Sequence, residues 1–136
     1  MPKASSKPRK QRKRHFNAPR HKVHRRLRVR NQDPKFRDAV KRLTVRTGDR
    51  VMIRAGQGEE GGYVDKDSQV KDVEGKVVRV DYKRQLIFLE DVKMRKRGNK
   101  VADRPVEPNN VWIMQVDLSD ARRKAWLEGE RAKYSE

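Results

Sequence analysis

The first 32 residues contain thirteen Lys and Arg and no Asp or Glu, so this stretch cannot be part of an ordinary hydrophobic core. Like charges repel, and few apolar groups in it reward compaction. The free arm is therefore expected to be solvated and disordered, gaining order when phosphates neutralise it. The whole chain carries a net charge of +18, so the other 104 residues hold only +5 and resemble a small domain of common composition. With 33% apolar residues in 136, that domain can build only a modest core.

A field of this sign and size collects polyanions, and nucleic acid is the leading partner. Anionic lipid would also attract a polybasic arm, but no amphipathic anchor follows it. The sequence has no apolar run approaching the ~18 residues of a membrane span and no stretch like a signal-peptide core. A soluble protein without membrane insertion is expected. There is no cysteine, so neither disulfides nor thiolate metal sites are available, which is compatible with an intracellular home.

Along the chain, residues 1–14 read as extended, and Arg14-His15-Phe16-Asn17-Ala18-Pro19 then places an aromatic, an amide and a turn-former inside the basic run. Phe16 is suited to stack on a base or to pack back on the domain. Asp33-Pro34 predicts an N-cap and first helical position, with Phe36, Ala39, Val40 and Leu43 forming the apolar stripe of a short helix over 34–42. From Thr47 the period changes to two: Val51 and Ile53 point one way, Arg50, Met52 and Arg54 the other.

Further strands are predicted at Gly75–Val80, at Gln85–Glu90 with both faces buried, at about 100–103 and at Val111–Val116. Asp81–Arg84, Arg97–Lys100 and Asn109-Asn110 supply the turns. Five short strands without crossover helices imply a mainly β chain whose antiparallel sheet curls into a small barrel and closes its edges. Ser119 can cap a C-terminal helix carrying Ala121, Ala125, Trp126 and Leu127. Trp112 and Trp126 are assigned to the core or to a seam between elements rather than to exposed stacking.

Gly56-Gln57-Gly58-Glu59-Glu60-Gly61 fits a dinucleotide fingerprint, and Asp81 follows at a suitable distance. The fingerprint needs a helix whose N-terminus faces pyrophosphate, however, and Gly62–Val70 has no helical stripe while Glu59 and Glu60 repel phosphate. A partly acidic surface loop is the better account. His15, His21 and His24 lack carboxylate or thiolate neighbours and sit in positive surroundings, so no metal site is expected there. No nucleophile and base occur at recognisable spacing. The chain is read as a non-enzyme needing no cofactor.

The arm is the strongest signal, because neutralising several phosphates releases counterions. RNA is favoured over DNA, since an Arg/Lys segment interleaved with His, Phe and Asn can thread between irregular RNA helices and fold there. The candidate contacts are Arg9, Lys10, Arg12, Lys13, Arg14, His15, Phe16, Asn17, Arg20, His21, Lys22, His24, Arg25, Arg26, Arg28 and Arg30.

Arg12-Lys13-Arg14-His15-Phe16-Asn17-Ala18-Pro19 resembles the N-terminal signature of the archaeal and eukaryotic branch of the universal large-subunit ribosomal protein twenty-four family. Gly48–Gly56, resumed by Gly75-Lys76-Val77-Val78-Arg79-Val80, is similar to that family's KOW motif, and Pro108–Ile113 sits where the family has a strand-entering proline segment. The resemblance implies an SH3-like barrel, a structural role in the large ribosomal subunit in the cytoplasm, contact with large-subunit rRNA near the nascent-chain exit, and neighbouring ribosomal proteins as partners. Factors docking at the exit would be further partners, and an independent homo-oligomer is not expected. It places RNA on the arm, on Arg54, Gly56, Gly75 and Lys76 of the motif, and on Lys93, Arg95, Lys96, Arg97 and Lys100.

One departure is an insertion at 57–70, Gly-rich and carrying Glu59, Glu60, Asp65 and Asp67, which is expected to face solvent or a protein. The expected parts are thus an arm over 1–32, a short helix and barrel over 33–118, and a C-terminal helix and tail over 119–136. The rival reading is a KOW-type transcription or RNA-processing factor that acts as an interaction module.

Overall fold

A computed structural model describes residues 4–54 and 73–135. The insertion, Gly56 and the whole Gly56–Gly61 fingerprint lie outside the described residues. The arm is not extended: it forms α1 (Pro8–Phe16) and α2 (Arg20–Arg26), two short helices with no buried residue in either. Pro8 opens α1, where its missing N–H costs nothing. The backbone N–H of Asn17 closes α1 onto the Lys13 carbonyl at 3.0 Å, and Pro19 disfavours helical backbone at Ala18 before α2 begins. Each helix ends in basic residues, which suit the negative end of the helix dipole.

The sheet begins inside the segment expected to be arm. Leu27 and Val29 are core residues, and β1 (Arg28–Asn31) alternates outward Arg28 and Arg30 with inward Val29 and Asn31. With β2 (Arg42–Thr44), β3 (Arg50–Ile53), β4 (Glu74–Asp81), β5 (Leu86–Arg95), β6 (Val101–Val106) and β7 (Val111–Gln115), it makes seven strands among the described residues rather than five, in the order β2-β1-β7-β3-β4-β5-β6. All neighbours are antiparallel except β1 and β7, which run parallel. The fold is mainly β and barrel-like, wrapped around a core that runs from Leu43 of β2 to Val106 of β6.

Several local expectations change. Residues 34–39 are turns rather than a helix. The Asp33 carbonyl accepts from the Phe36 and Arg37 amides and the Phe36 carbonyl from Val40, but the Asn31 side chain claims the Val40 carbonyl at 3.0 Å and its backbone N–H the Lys41 carbonyl at 2.9 Å. The chain is thereby drawn into β2 before a helix can propagate. Phe36, Val40 and Leu43 still reach the core.

β5 is not buried on both faces: Ile87 and Leu89 are inside, while Phe88 is partly exposed and covered by the Arg79 guanidinium at 4.1 Å. It also runs on to Arg95, past the expected end. Pro105 lies in β6, the end strand among the described residues, where a missing N–H is tolerated.

α3 (Ala121–Ser135) is capped by Asp120, whose carboxylate accepts the Arg122 amide at 3.0 Å and whose carbonyl accepts that of Lys124 at 3.0 Å. Ser119 donates to Asp117 instead. Trp126 is 50% exposed and not a core residue, since Leu127 and Arg123 form the buried face of α3.

The helix is fastened by a buried ion pair. Asp49, fully buried, takes both Arg123 nitrogens at 2.6 and 2.8 Å and also the amides of Arg46 and Asp117, each at 2.9 Å. Arg123 completes its fork on the carbonyls of Thr44 and Asp117. Both carboxylate oxygens thus have donors, as a desolvated carboxylate requires.

Candidate nucleic-acid interface

The sequence-predicted residues fall in four places. The first is the helical hairpin of the arm, where the turn Asn17-Ala18-Pro19 joins α1 to α2. Arg26 donates to the His15 carbonyl at 2.9 Å and ties the two helices together. Between them is an open groove of about 600 Å³ lined by Lys10, Lys13, Arg14, Lys22 and Arg26, with no acid among its described lining residues. Arg9, Arg12, His21 and Arg25 are exposed on the same helices. Phe16 is 77% exposed and touches His15 edge-on, with ring centres 5.3 Å apart, so it does not pack back on the domain.

The hairpin is anchored through α2. Arg20 lies 5.1 Å from the centre of the Tyr82 ring and His24 stacks obliquely on the same ring at 4.6 Å. Tyr82 sits in the tight β4–β5 turn, which Asp81 fixes by accepting the amides of Lys83 and Arg84. Sequence reasoning read that turn only as a connection. Its lone aromatic between charged residues was the available signal.

The second place is the outer face of the sheet. Arg30 of β1 and Arg54, just past β3, approach Trp112 of β7 from the two flanking strands, at 4.8 and 4.7 Å from its ring centre. Such contacts hold guanidinium groups against the indole. A groove beside them gathers Arg28, Arg37, Lys41 and Arg42, with Asp38 as its acid. Arg37, Lys41, Arg42 and Trp112 were not among the expected RNA contacts, because the sequence places 34–42 on a helix and Trp112 in the core or at a seam between elements.

The third place holds the KOW residues Gly75 and Lys76. A Cβ on Gly75 would stand 3.4 Å from the Leu89 Cβ, an ordinary van der Waals contact, so the packing around it does not by itself demand glycine. Lys76 shares its depression with Arg50 and with Glu74, Glu90 and Asp117, and Arg50 pairs with Glu74 at 3.2 Å. The charge there is mixed. In the same region Ser119 holds the Asp117 carboxyl below its ordinary value, through its hydroxyl and then its amide, with Arg123 and Lys76 adding to the effect against an opposing contribution from burial.

The fourth is the tip of the β5–β6 hairpin. Lys93 is exposed on β5 opposite Asp103, the backbone of Arg95 ends the strand, and Lys96, Arg97 and Lys100 surround a turn closed by the Lys96 amide on the Lys100 carbonyl at 2.8 Å. Gly98 and Asn99 both take positive φ there. This patch is separate from Trp112 in the sheet order, since β5 and β6 lie at the far end from β1 and β2.

Among the described residues no group of His and acidic side chains is placed to hold a metal ion, and no helix is long and apolar enough to cross a membrane.

A family model described as ribosomal proteins, L26 in eukaryotes and L24 in archaea, matches residues 5–130. The large ribosomal subunit protein uL24 of Sulfurisphaera tokodaii is 35% identical over 133 residues, covering 97% of this chain and 90% of that protein. The match takes in the basic hairpin, the sheet and most of α3, so the chain belongs to this family of eukaryotic and archaeal ribosomal proteins.

Proposed function

We propose that the protein is a structural constituent of the large ribosomal subunit that binds large-subunit rRNA and helps to fix its fold near the nascent-chain exit. The observation carrying this reading is the groove of the α1–α2 hairpin, cationic and without an acid among its described lining residues, joined to a family membership that is ribosomal over nearly the whole chain. Lys10, Lys13, Arg14, Lys22 and Arg26 neutralise phosphates from two sides of one groove, and Phe16 stands ready to stack on an unpaired base. Tyr82 orients that hairpin on the barrel, so the barrel sets where the arm enters the RNA. The partners are rRNA and neighbouring large-subunit proteins, in the cytoplasm. No chemistry is performed; the product is binding energy. The KOW-type transcription factor reading is less well supported, because the family match extends through the arm signature and not the barrel alone.

The test is equilibrium binding of the full chain to a large-subunit rRNA transcript across a salt series. Replacing Lys10, Lys13 and Arg14 by Gln should flatten the dependence of log K on log[salt] by about 2 to 3, at roughly 0.7–0.9 per phosphate contact. An unchanged slope and affinity would overturn the reading.

A further inference from the structure

Strand register places a row of side chains across the outer face of the sheet. Arg42 of β2 is paired with Arg30 of β1, Arg30 with Trp112 of β7, and Trp112 with Met52 of β3. Arg30 and Arg42 are therefore like charges directly opposite each other on neighbouring strands, an arrangement that lowers the stability of a sheet. The acid of this groove does little to relieve it. Asp38 lies 3.9 Å from Arg37, and Arg42 spends one nitrogen on the Arg28 carbonyl at 3.1 Å.

The indole meanwhile holds Arg30 in place, so its guanidinium is restrained before any ligand arrives. Lys41 adds a further cation to the groove, and Arg28, Lys41 and Arg42 also border the adjoining depression that ends at Trp126. Two cations on neighbouring strands, both open to solvent and one of them held against the indole, form a platform across β1 and β2 that fits phosphate.

We propose that Arg30 and Arg42, with Lys41 and Trp112 lining the same groove, form a second RNA contact that takes backbone phosphate of a strand lying across β2 and β1. The contact is independent of the arm and rests on the RNA-binding reading given above. RNA is the occupant because a groove this cationic is complementary to a chain of phosphates, and its amides Gln32 and Asn109 suit sugar and base edges. Arg28 and Arg30 thus act from the barrel.

The test uses the full chain with Trp126→Phe, which leaves Trp112 as the single tryptophan of the two in the sequence. Titration with a large-subunit rRNA fragment should quench Trp112 fluorescence. Lys41→Gln/Arg42→Gln should abolish most of that quenching and reduce the salt slope of binding by about 1.4 to 1.8, while Lys13→Gln/Arg14→Gln weakens binding but keeps the quenching at saturation. Without RNA, Arg42→Gln should leave the urea midpoint unchanged or raise it, since it removes repulsion. Unaltered quenching and slope in the Lys41/Arg42 variant would overturn this second contact while the arm's role stands. Insensitivity of binding to both sets of changes would defeat RNA binding altogether. Equal quenching by inorganic phosphate alone would overturn the assignment to an RNA strand.

Discussion

At the scale of single residues, Asp49 ties α3 to the turn before β3. Its two oxygens hold a guanidinium and two backbone amides in a site that water does not reach. Arg123→Met should cost about 3 kcal/mol and Asp49→Ala about 5 kcal/mol in urea unfolding, since breaking a buried pair strands its partner and the second change also orphans two amides. Gly48 and Gly98 give a paired comparison. Both have positive φ, but a Cβ on Gly48 would collide with the Asp117 carboxylate while one on Gly98 meets nothing among the described residues. Gly98→Ala should cost about 1 kcal/mol, the penalty of the left-handed backbone, and Gly48→Ala distinctly more.

Acid should also weaken the protein through Asp117 and Asp120, both held below the ordinary carboxyl value of 3.8. Ser119 is the main cause for Asp117. For Asp120 the Arg122 amide comes first, with the Arg46 side chain adding to it, against burial. In the unfolded chain these groups bind protons more readily, so their contribution is complete above that ordinary value and disappears as pH falls through the lower folded ones. Urea midpoints measured from about pH 6 down to about pH 2 should decline in the acid limb, and Ser119→Ala should make the decline shallower; a limb identical to the unaltered protein's would contradict this assignment.

Among the elements, the arm is the least self-sufficient. α1 has nine residues, none buried, and a helix of that length is marginal in water without packing. Circular dichroism should show helical signal rising when an rRNA fragment is added, and the rise should shrink when residues 8–16 are removed. Any deletion must stop before Leu27, because a cut at residue 30 would remove Val29 from the core and most of β1 from the sheet.

Much of this organisation was legible in the sequence. The alternation at Val51 and Ile53 and the Asp81–Arg84 turn survive in the structure, while the cationic segment expected to be extended folds as two short helices and then β1. What was hidden has a common cause. β1 and β2 are only four and three residues long, and their arginines look like more arm or like the charged side of a helix. The stripe Phe36, Val40, Leu43 fits helical spacing, yet the side chain of Asn31, distant in pattern though near in space, takes the Val40 carbonyl and ends the turn. Trp112 reads from its strand as core or seam, and only the register with Arg30 and Met52 shows it on the outer face.

For the molecule as a whole, the division of labour between arm and barrel is less sharp than charge alone suggested. The barrel supplies a fixed frame, α3 is locked to it by Asp49 and Arg123, and α2 rests on Tyr82. Basic surfaces then face outward at the hairpin groove, beside Trp112 and at the β5–β6 tip, while the depression near Lys76 has mixed charge. A component that holds several RNA segments in fixed relation needs such separated contacts on a rigid body. The most direct measurement is sedimentation of the tagged chain from cell extract through a sucrose gradient after a high-salt wash. Co-migration with the large ribosomal subunit is the result predicted, with loss of that peak when Lys10, Lys13 and Arg14 are all replaced by Gln. Recovery of the unaltered chain away from the subunit, at the top of the gradient or with RNA polymerase, would contradict the account.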